Sequence, residues 1–394
     1  MPDLAFIEQA LAERQKQQLW RQPPLLDSAQ GTQIRCQGRE MINFSSNDYL
    51  GLAADPRLEA ALIAGAQRWG TGSGASHQVC GHQQPHQELE ERLADLTGRE
   101  AALTFSSGYL ANLAAVQTLI GKGGEVYQDK LNHASLLDAG LASGARFRRY
   151  RHLDSSHLKG LLEKSGSGRR LLVSDAVFSM DGDQAEVAEL ARLAEASQSW
   201  LLLDDAHGLG VLGEEGSGLV GRRFGSDQVH LLTATLGKAL GSAGAFIAGD
   251  RLVIDYLRQF ARQYIYTTAQ PAAQACVSLK ALDLLAAEPQ RRQDLQDNLA
   301  FFRHGAKALG LPLLPSQTAI QPLLLGDNAR ALRWSQALKE SGFLVMAIRP
   351  PTVPPGTARL RITLTAKHRY DHLALLLEAL AELAAEEEAN SDVG

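Results

Sequence analysis

The chain has 394 residues, 45% of them hydrophobic and 21% charged, with a formal net charge of -5. That length predicts two or three domains around a sizeable core, and a negative balance without a basic stripe argues against a nucleic-acid partner. The 3 cysteines, Cys36, Cys80 and Cys276, lie far apart and match neither a disulfide framework nor zinc spacing, which points to a reducing, cytoplasmic setting.

The opening segment, "MPDLAFIEQALAERQKQQLW", mixes charge through its apolar positions and predicts an amphipathic helix rather than a signal peptide. Prolines keep "RQPPLL" extended, and "QIRCQGREMINF" predicts a small hairpin. Helical patterns follow at 56–69 and 86–97. From 101 onward strands and helices alternate: "AALTF", "EVYQ", "RFRRY", "RRLLVSDAVF", "WLLLDD", "VHLLTAT" and "GAFIAG" are the strands. Alternation of this kind predicts an α/β fold with a mostly parallel sheet flanked by helices. Runs such as "WLLL" suit strands covered on both faces. The basic run "RFRRYRH" at 146–152 reads as a solvated edge. Helices are expected at 250–261 and 271–309. A smaller α+β part follows, with "AIQPLLLG", a helix near 328–341, "FLVMAI", "ARLRITL" and a last helix near 368–388; the tail "EEEANSDVG" is expected to fray. The implied domains are 1–45 (helix and hairpin), 46–285 (large α/β) and 286–394 (small α+β). No apolar run is long enough to span a bilayer.

Open parallel sheets bind ligands beyond the carboxyl ends of their strands, so polar residues that end apolar runs are the candidates. Ser106 and Ser107 precede Gly108 and Tyr109; Asn132 and His133 follow "EVYQDKL". Ser174, Asp175 and Ser179 end one run, Asp204, Asp205 and His207 another, and Thr233, Thr235 and Lys238 a third. Singly, Asp and Ser at such places usually cap helices. "GLGVLG" at 208–213 fits a dinucleotide fingerprint only formally, because no helix follows it. A phosphate loop at Lys238 fails as well, since Leu232 and Ala239 stand where glycine and Ser or Thr are needed. His77, His82 and His86 lack a carboxylate partner at metal spacing and read as surface residues.

Taken together, the strand ends match the needs of pyridoxal 5'-phosphate. Lys238 supplies an amine for a Schiff base with its aldehyde, and Asp204 a carboxylate that keeps the pyridine nitrogen protonated. Gly108, Tyr109 and Thr235 offer backbone N–H groups at a helix start and a hydroxyl for the phosphate. His133 offers a flat face for the ring, and His207 or Ser179 a partner for the ring oxygen.

The segments "NFSSNDYLGL", "SSGYLAN", "DDAHGLGVLG", "TLGKALGSAG" and "RPPTVPPGTARLRITLTA" resemble the α-oxoamine synthases, which are fold-type I pyridoxal-phosphate enzymes, over about residues 20–385. The resemblance implies a central, mostly parallel seven-stranded sheet, with Lys238 holding the cofactor, Asp204 on the pyridine nitrogen, His133 stacked on the ring, and both Ser179 and His207 at the ring oxygen. It further implies a homodimer in which Thr267 and Thr268 reach the partner's phosphate. Arg361 with Asn47 would hold the amino-acid carboxylate, and Arg21 and Thr352 would contact substrate. "PPTVPPGTARLRI" and "NFSSNDYLGL" tilt the likeness toward the branch that condenses L-alanine with a pimeloyl thioester, carried on coenzyme A or on acyl-carrier protein. Family members often carry Arg in place of His77 and Ser in place of Cys80.

Overall fold

The structure is a computed structural model that describes residues 3–391. Its strands, in chain order, are β1 (Gln33–Cys36), β2 (Arg39–Asn43), β3 (Ala101–Phe105), β4 (Glu125–Asp129), β5 (Arg146–Tyr150), β6 (Arg170–Asp175), β7 (Trp200–Asp204), β8 (Leu231–Thr235), β9 (Ala245–Gly249), β10 (Ile320–Gly326), β11 (Phe343–Leu344), β12 (Met346–Ile348) and β13 (Ala358–Thr363). The chain forms two compact units, one of residues 48–179 and 183–293, the other of 1–47, 180–182 and 294–394.

The larger unit is built on a seven-stranded sheet of order β3-β9-β8-β7-β6-β4-β5. The pairs β5-β4, β4-β6, β6-β7 and β7-β8 are parallel, and β9 alone runs against its neighbours β8 and β3. Successive side chains of a strand face opposite sides of a sheet. Here both sides are buried: Leu171, Val173, Leu202 and Leu231 belong to one apolar cluster, and Leu172, Leu201, Leu203 and Leu232 to another. That is why these strands read as unbroken apolar runs.

The carboxyl ends of β3, β4, β6, β7 and β8 open on one edge of the sheet, followed by the segments that carry Ser107, His133, Ser179, His207 and Lys238. Two of these residues do cap helices. Ser107 Oγ accepts from Leu110 N at the start of the helix Gly108–Leu119, and His133 accepts from Ser135 N ahead of the helix Ala134–Ala142.

The smaller unit holds a three-stranded sheet β1-β2-β11 and another of order β10-β13-β12. β1 and β2 form the expected antiparallel hairpin. In the same unit the Phe44 ring stacks on His368 with centroids 4.3 Å apart.

Three expectations need correction. The segment 271–309 is two helices, Ala272–Ala287 and Gln290–Ala308, because Pro289 lacks the N–H that a continuous helix needs. The final helix Tyr370–Ser391 runs through most of the tail expected to fray, while residues 392–394 lie outside the described ones. The first helix, Ala5–Lys16, forms but buries none of its residues. Among the described residues no helix is long and apolar enough to cross a membrane.

Candidate active site

The site in the larger unit centres on the turn after β8. Lys238 Nζ lies 2.9 Å from His207 Nε2, and His207 Nδ1 lies 2.6 Å from the hydroxyl of Tyr49. With the lysine donating to Nε2, the imidazole proton sits on Nδ1 and is given to the Tyr49 oxygen. Tyr49 is 1% exposed and His207 8%, so the ring is held at both nitrogens.

Asp204 ends the strand next to the one that leads to Lys238, and it pairs in register with Thr233. It does not cap a helix. Its Oδ1 accepts from Ala206 N at 2.9 Å, and its Oδ2 accepts from Asn112 Nδ2 at 2.6 Å. Neighbouring Asp205 is buried and serves the loop instead, where its Oδ2 accepts from Val220 N at 3.0 Å. A Cβ at Gly208 or Gly218 would collide with this carboxylate, so Gly208 of "GLGVLG" and Gly218 beyond it serve a close wrap around Asp205. Only a three-residue 3-10 turn, Glu214–Gly216, follows 208–213, too short to offer the helix N-terminus a pyrophosphate needs, and the dinucleotide reading fails. Burial, with the charge of Asp204 adding to it and backbone N–H groups opposing, pushes the Asp205 carboxyl up to about 7.

His133 is an exposed residue by surface, with its backbone fixed. Its N–H donates to Asp175 Oδ2 at 2.6 Å, and Asn132 beside it receives the Asp175 N–H at 3.0 Å. Its Nδ1 lies 2.7 Å from Ser135 Oγ. Surrounding protein lowers its basicity, the charge of Asp204 opposes that, and Lys238 adds to it. Burial first, then the charge of Asp204, raises the Asp175 carboxyl well above the carboxylate range.

At the start of the helix Gly108–Leu119, Ser107 takes the N–H groups of Leu110 and Ala111. The N–H groups of Gly108 and Tyr109 precede the first intrahelical bond and suit an anion; a Cβ at Gly108 would meet nothing within 4 Å. The Tyr109 hydroxyl itself donates to Asp138 at 2.5 Å. Thr235 Oγ1 donates to Gly244 O at 2.9 Å and accepts from Gly237 N at 3.2 Å. Ser179 is half-buried a few residues beyond β6. Thr268 is exposed and bridges Ser76, with Thr267 beside it.

The donor set fits pyridoxal 5'-phosphate: an amine, a buried carboxylate on the adjacent strand, a ring-bearing residue, and a helix start open for phosphate. Sequence reasoning missed Tyr49, Asn112 and Ser135. The available signal was a polar Asn112 inside the otherwise apolar helix "GYLANLAAVQTL".

In the smaller unit, Arg361 stands on the middle strand β13 and is 6% exposed. Its Nη1 donates to Thr363 Oγ1 at 2.9 Å and its Nη2 to Asn47 Oδ1 at 3.1 Å. Arg21 Nη2 donates to Thr352 Oγ1 at 2.8 Å, with both residues exposed.

His77, His82 and His86 are not surface residues: His86 is buried and the other two are half-buried. His77 Nδ1 and His82 Nδ1 are 2.9 Å apart, and the His77 ring stacks on Tyr264 at 5.0 Å. Both nitrogens of His86 are used, Nδ1 by Gln83 N and Nε2 by Gln270 O. Burial, reinforced by the neighbouring imidazoles, pushes His77 down to about 3. Burial also lowers the basicity of His86, and the three rings pack against one another.

These features define a fold-type I pyridoxal-phosphate enzyme. The family model "Aminotransferase class I and II" matches residues 39–380. The 8-amino-7-oxononanoate synthase of Ectopseudomonas mendocina is 57% identical over 373 residues, 94% of this chain and 96% of that one. Among solved structures, serine palmitoyltransferase from S. paucimobilis, with a bound PLP–myriocin aldimine, superposes with a TM-score of 0.93 at 28% identity, covering 98% of this chain and 99% of that one. An 8-amino-7-oxononanoate synthase from Francisella tularensis gives a TM-score of 0.78 at 31% identity over 88% of this chain and 99% of that one. The chain belongs to the class I and II aminotransferase family and, within it, to the 8-amino-7-oxononanoate synthases, and its cofactor is pyridoxal 5'-phosphate.

Proposed function

We propose that the chain joins L-alanine to a pimeloyl thioester, yielding 8-amino-7-oxononanoate for biotin biosynthesis. A C–C bond forms between the alanine Cα and the thioester carbonyl carbon; the thiol of coenzyme A or a carrier protein leaves, and the alanine carboxylate departs as CO2. The observation that carries this reading is Lys238 beside His207, one strand over from the buried, hydrogen-bonded Asp204, in a chain 57% identical to a synthase of that name.

When bound, pyridoxal 5'-phosphate supplies an aldehyde and a cationic pyridine able to accept electrons from Cα. The chain's residues do the rest. Lys238 would hold the aldehyde, and its Nζ would take the alanine Cα proton. His207, fixed by Tyr49, orients that amine. Asp204, fixed by Asn112 and Ala206, keeps the pyridine nitrogen protonated. His133 covers the ring and offers a proton to the thioester oxygen. Gly108, Tyr109 and Thr235 hold the phosphate, Ser179 and His207 the ring oxygen. Arg361 with Asn47 receives the amino-acid carboxylate, and Arg21 and Thr352 contact the acyl donor. The enzyme works as a cytoplasmic homodimer, with Thr267 and Thr268 of each protomer serving the other's phosphate; its three unpaired cysteines suit that compartment.

The test is turnover of purified protein with alanine plus pimeloyl-CoA beside glycine plus acetyl-CoA, following CO2 and thiol release. Preference for the first pair is expected. Preference for the second would overturn the substrate assignment, and no turnover with either would overturn the reaction class.

A further inference from the structure

Asn112 lies on the first turns of the helix that starts at Gly108, and it is 1% exposed. Every polar atom of its side chain is engaged. Oδ1 accepts from Thr233 Oγ1 at 2.8 Å. Nδ2 donates to Asp204 Oδ2 at 2.6 Å and to Ser135 Oγ at 2.9 Å. This fixes which way the amide points, because a flipped amide would set its oxygen against a carboxylate and its nitrogen against a hydroxyl proton.

The donor directions then propagate. An amide nitrogen only donates, so Ser135 Oγ accepts from Asn112. Its own proton is left for His133 Nδ1 at 2.7 Å. The Ser135 N–H also points at that nitrogen, at 3.3 Å. Two donors aimed at Nδ1 require a lone pair there, so the ring proton of neutral His133 sits on Nε2.

We propose that Asn112 is a positioning residue that ties the Asp204 carboxylate to the ring tautomer of His133 through Ser135. One amide thereby sets two groups of the site: it holds Asp204 in its acceptor orientation, and it leaves His133 with Nε2–H as its only free donor. The relay comes from three different strand ends, and helix, loop and sheet fix its members independently. The proposed function above enters only in what Asp204 and His133 face; the relay itself consists of protein atoms.

The test combines nitrogen-15 NMR of labelled histidine, the His133 signal being assigned with His133→Gln, and titration of the apoenzyme with pyridoxal 5'-phosphate. Wild type is expected to show the Nε2–H form. Ser135→Ala should populate the Nδ1–H form with less than a threefold change in cofactor affinity. Asn112→Ala should do the same and also weaken cofactor binding about tenfold, the cost of one charge-assisted hydrogen bond. A purely structural role for Asn112 would lower the melting temperature without altering the tautomer. An Nδ1–H ring in wild type overturns the proposal, as does an Asn112→Ala protein with wild-type tautomer and affinity. If Asn112→Ala does not fold, Thr233→Val removes only the hydroxyl that anchors Oδ1; smaller shifts of the same sign support the proposal and none overturns it. A wild type that binds no cofactor would sink the functional reading, while the tautomer would still decide the relay.

Discussion

His152 offers the sharpest stability prediction. It follows β5, and its Nδ1 lies 3.0 Å from Asp129 Oδ1 and its Nε2 2.8 Å from Asp183 Oδ2. Burial alone would lower its basicity, but the two hydrogen-bonded carboxylates outweigh that and push it up to about 10 from an ordinary 6.5. At about 1.4 kcal/mol per pH unit, that rise is worth at most about 5 kcal/mol. The side chain keeps 23% of its surface in solvent, so about 2–3 kcal/mol is a reasonable expectation after screening. The folded-state value is raised, so this stabilisation is fully present below pH 6.5 and is lost as pH climbs through about 10. His152→Gln keeps hydrogen-bonding capacity but not the charge. Urea unfolding of both proteins from pH 6 to 10.5 should show wild type ahead by that margin at pH 6, with the gap closing toward pH 10. A gap that stays constant across the range would refute the charged clamp. The His152 ring also packs edge-on against Phe178, at 4.5 Å.

Lys238→Ala should abolish turnover and the visible absorbance of the lysine-linked cofactor; normal turnover in that variant would remove Lys238 from its role. Asp204→Asn should raise the barrier by several kcal/mol, read as a fall in kcat of at least a hundredfold. Arg361→Ala should raise the alanine KM more than it lowers kcat, and unchanged alanine saturation would count against the carboxylate clamp. Gly208→Ala places a methyl against Asp205 Oδ1 and the Leu219 N–H; a loss of about 1–3 kcal/mol is expected in urea unfolding.

The sheet was legible because its chemistry is local. Strands buried on both faces must be apolar where they are covered, so "WLLL" and the "LLV" of β6 announce themselves, and the polar residue that ends each run marks the edge where ligands bind. The choice of Lys238, Asp204 and His133 as candidates rests on what one cofactor requires at successive strand ends. What the sequence hid is who holds these groups. Asp204 is held by Asn112, 92 positions away, and His207 by Tyr49, 158 positions away. No periodicity encodes such a pairing, because it exists only once the sheet has brought distant segments together. The three histidines illustrate the converse error. Read one by one they look like surface residues, yet the turn His77–Gly81 and the helix start at Gln84 fold them onto one another.

The strand ends also share an electrostatic problem. Asp129, Asp175, Asp204 and Asp205 are all buried along one edge of the sheet. Burying a carboxylate is costly unless donors replace water, and backbone N–H groups from Leu131 and Leu153, His133, Ala206 and Val220 do so in turn. These donors do not cancel the mutual repulsion: the charge of Asp204 still helps to raise both Asp175 and Asp205. Lys238 is a cation that works the other way on Asp175. A protonated pyridine beside Asp204 would be another, and it would relieve both neighbours at once. Within this group Asp129 is answered by the His152 imidazolium, and a cationic ring bound beside Asp204 would favour the charged forms of Asp175 and Asp205, stabilising the native state by an amount that grows with the logarithm of free ligand over Kd.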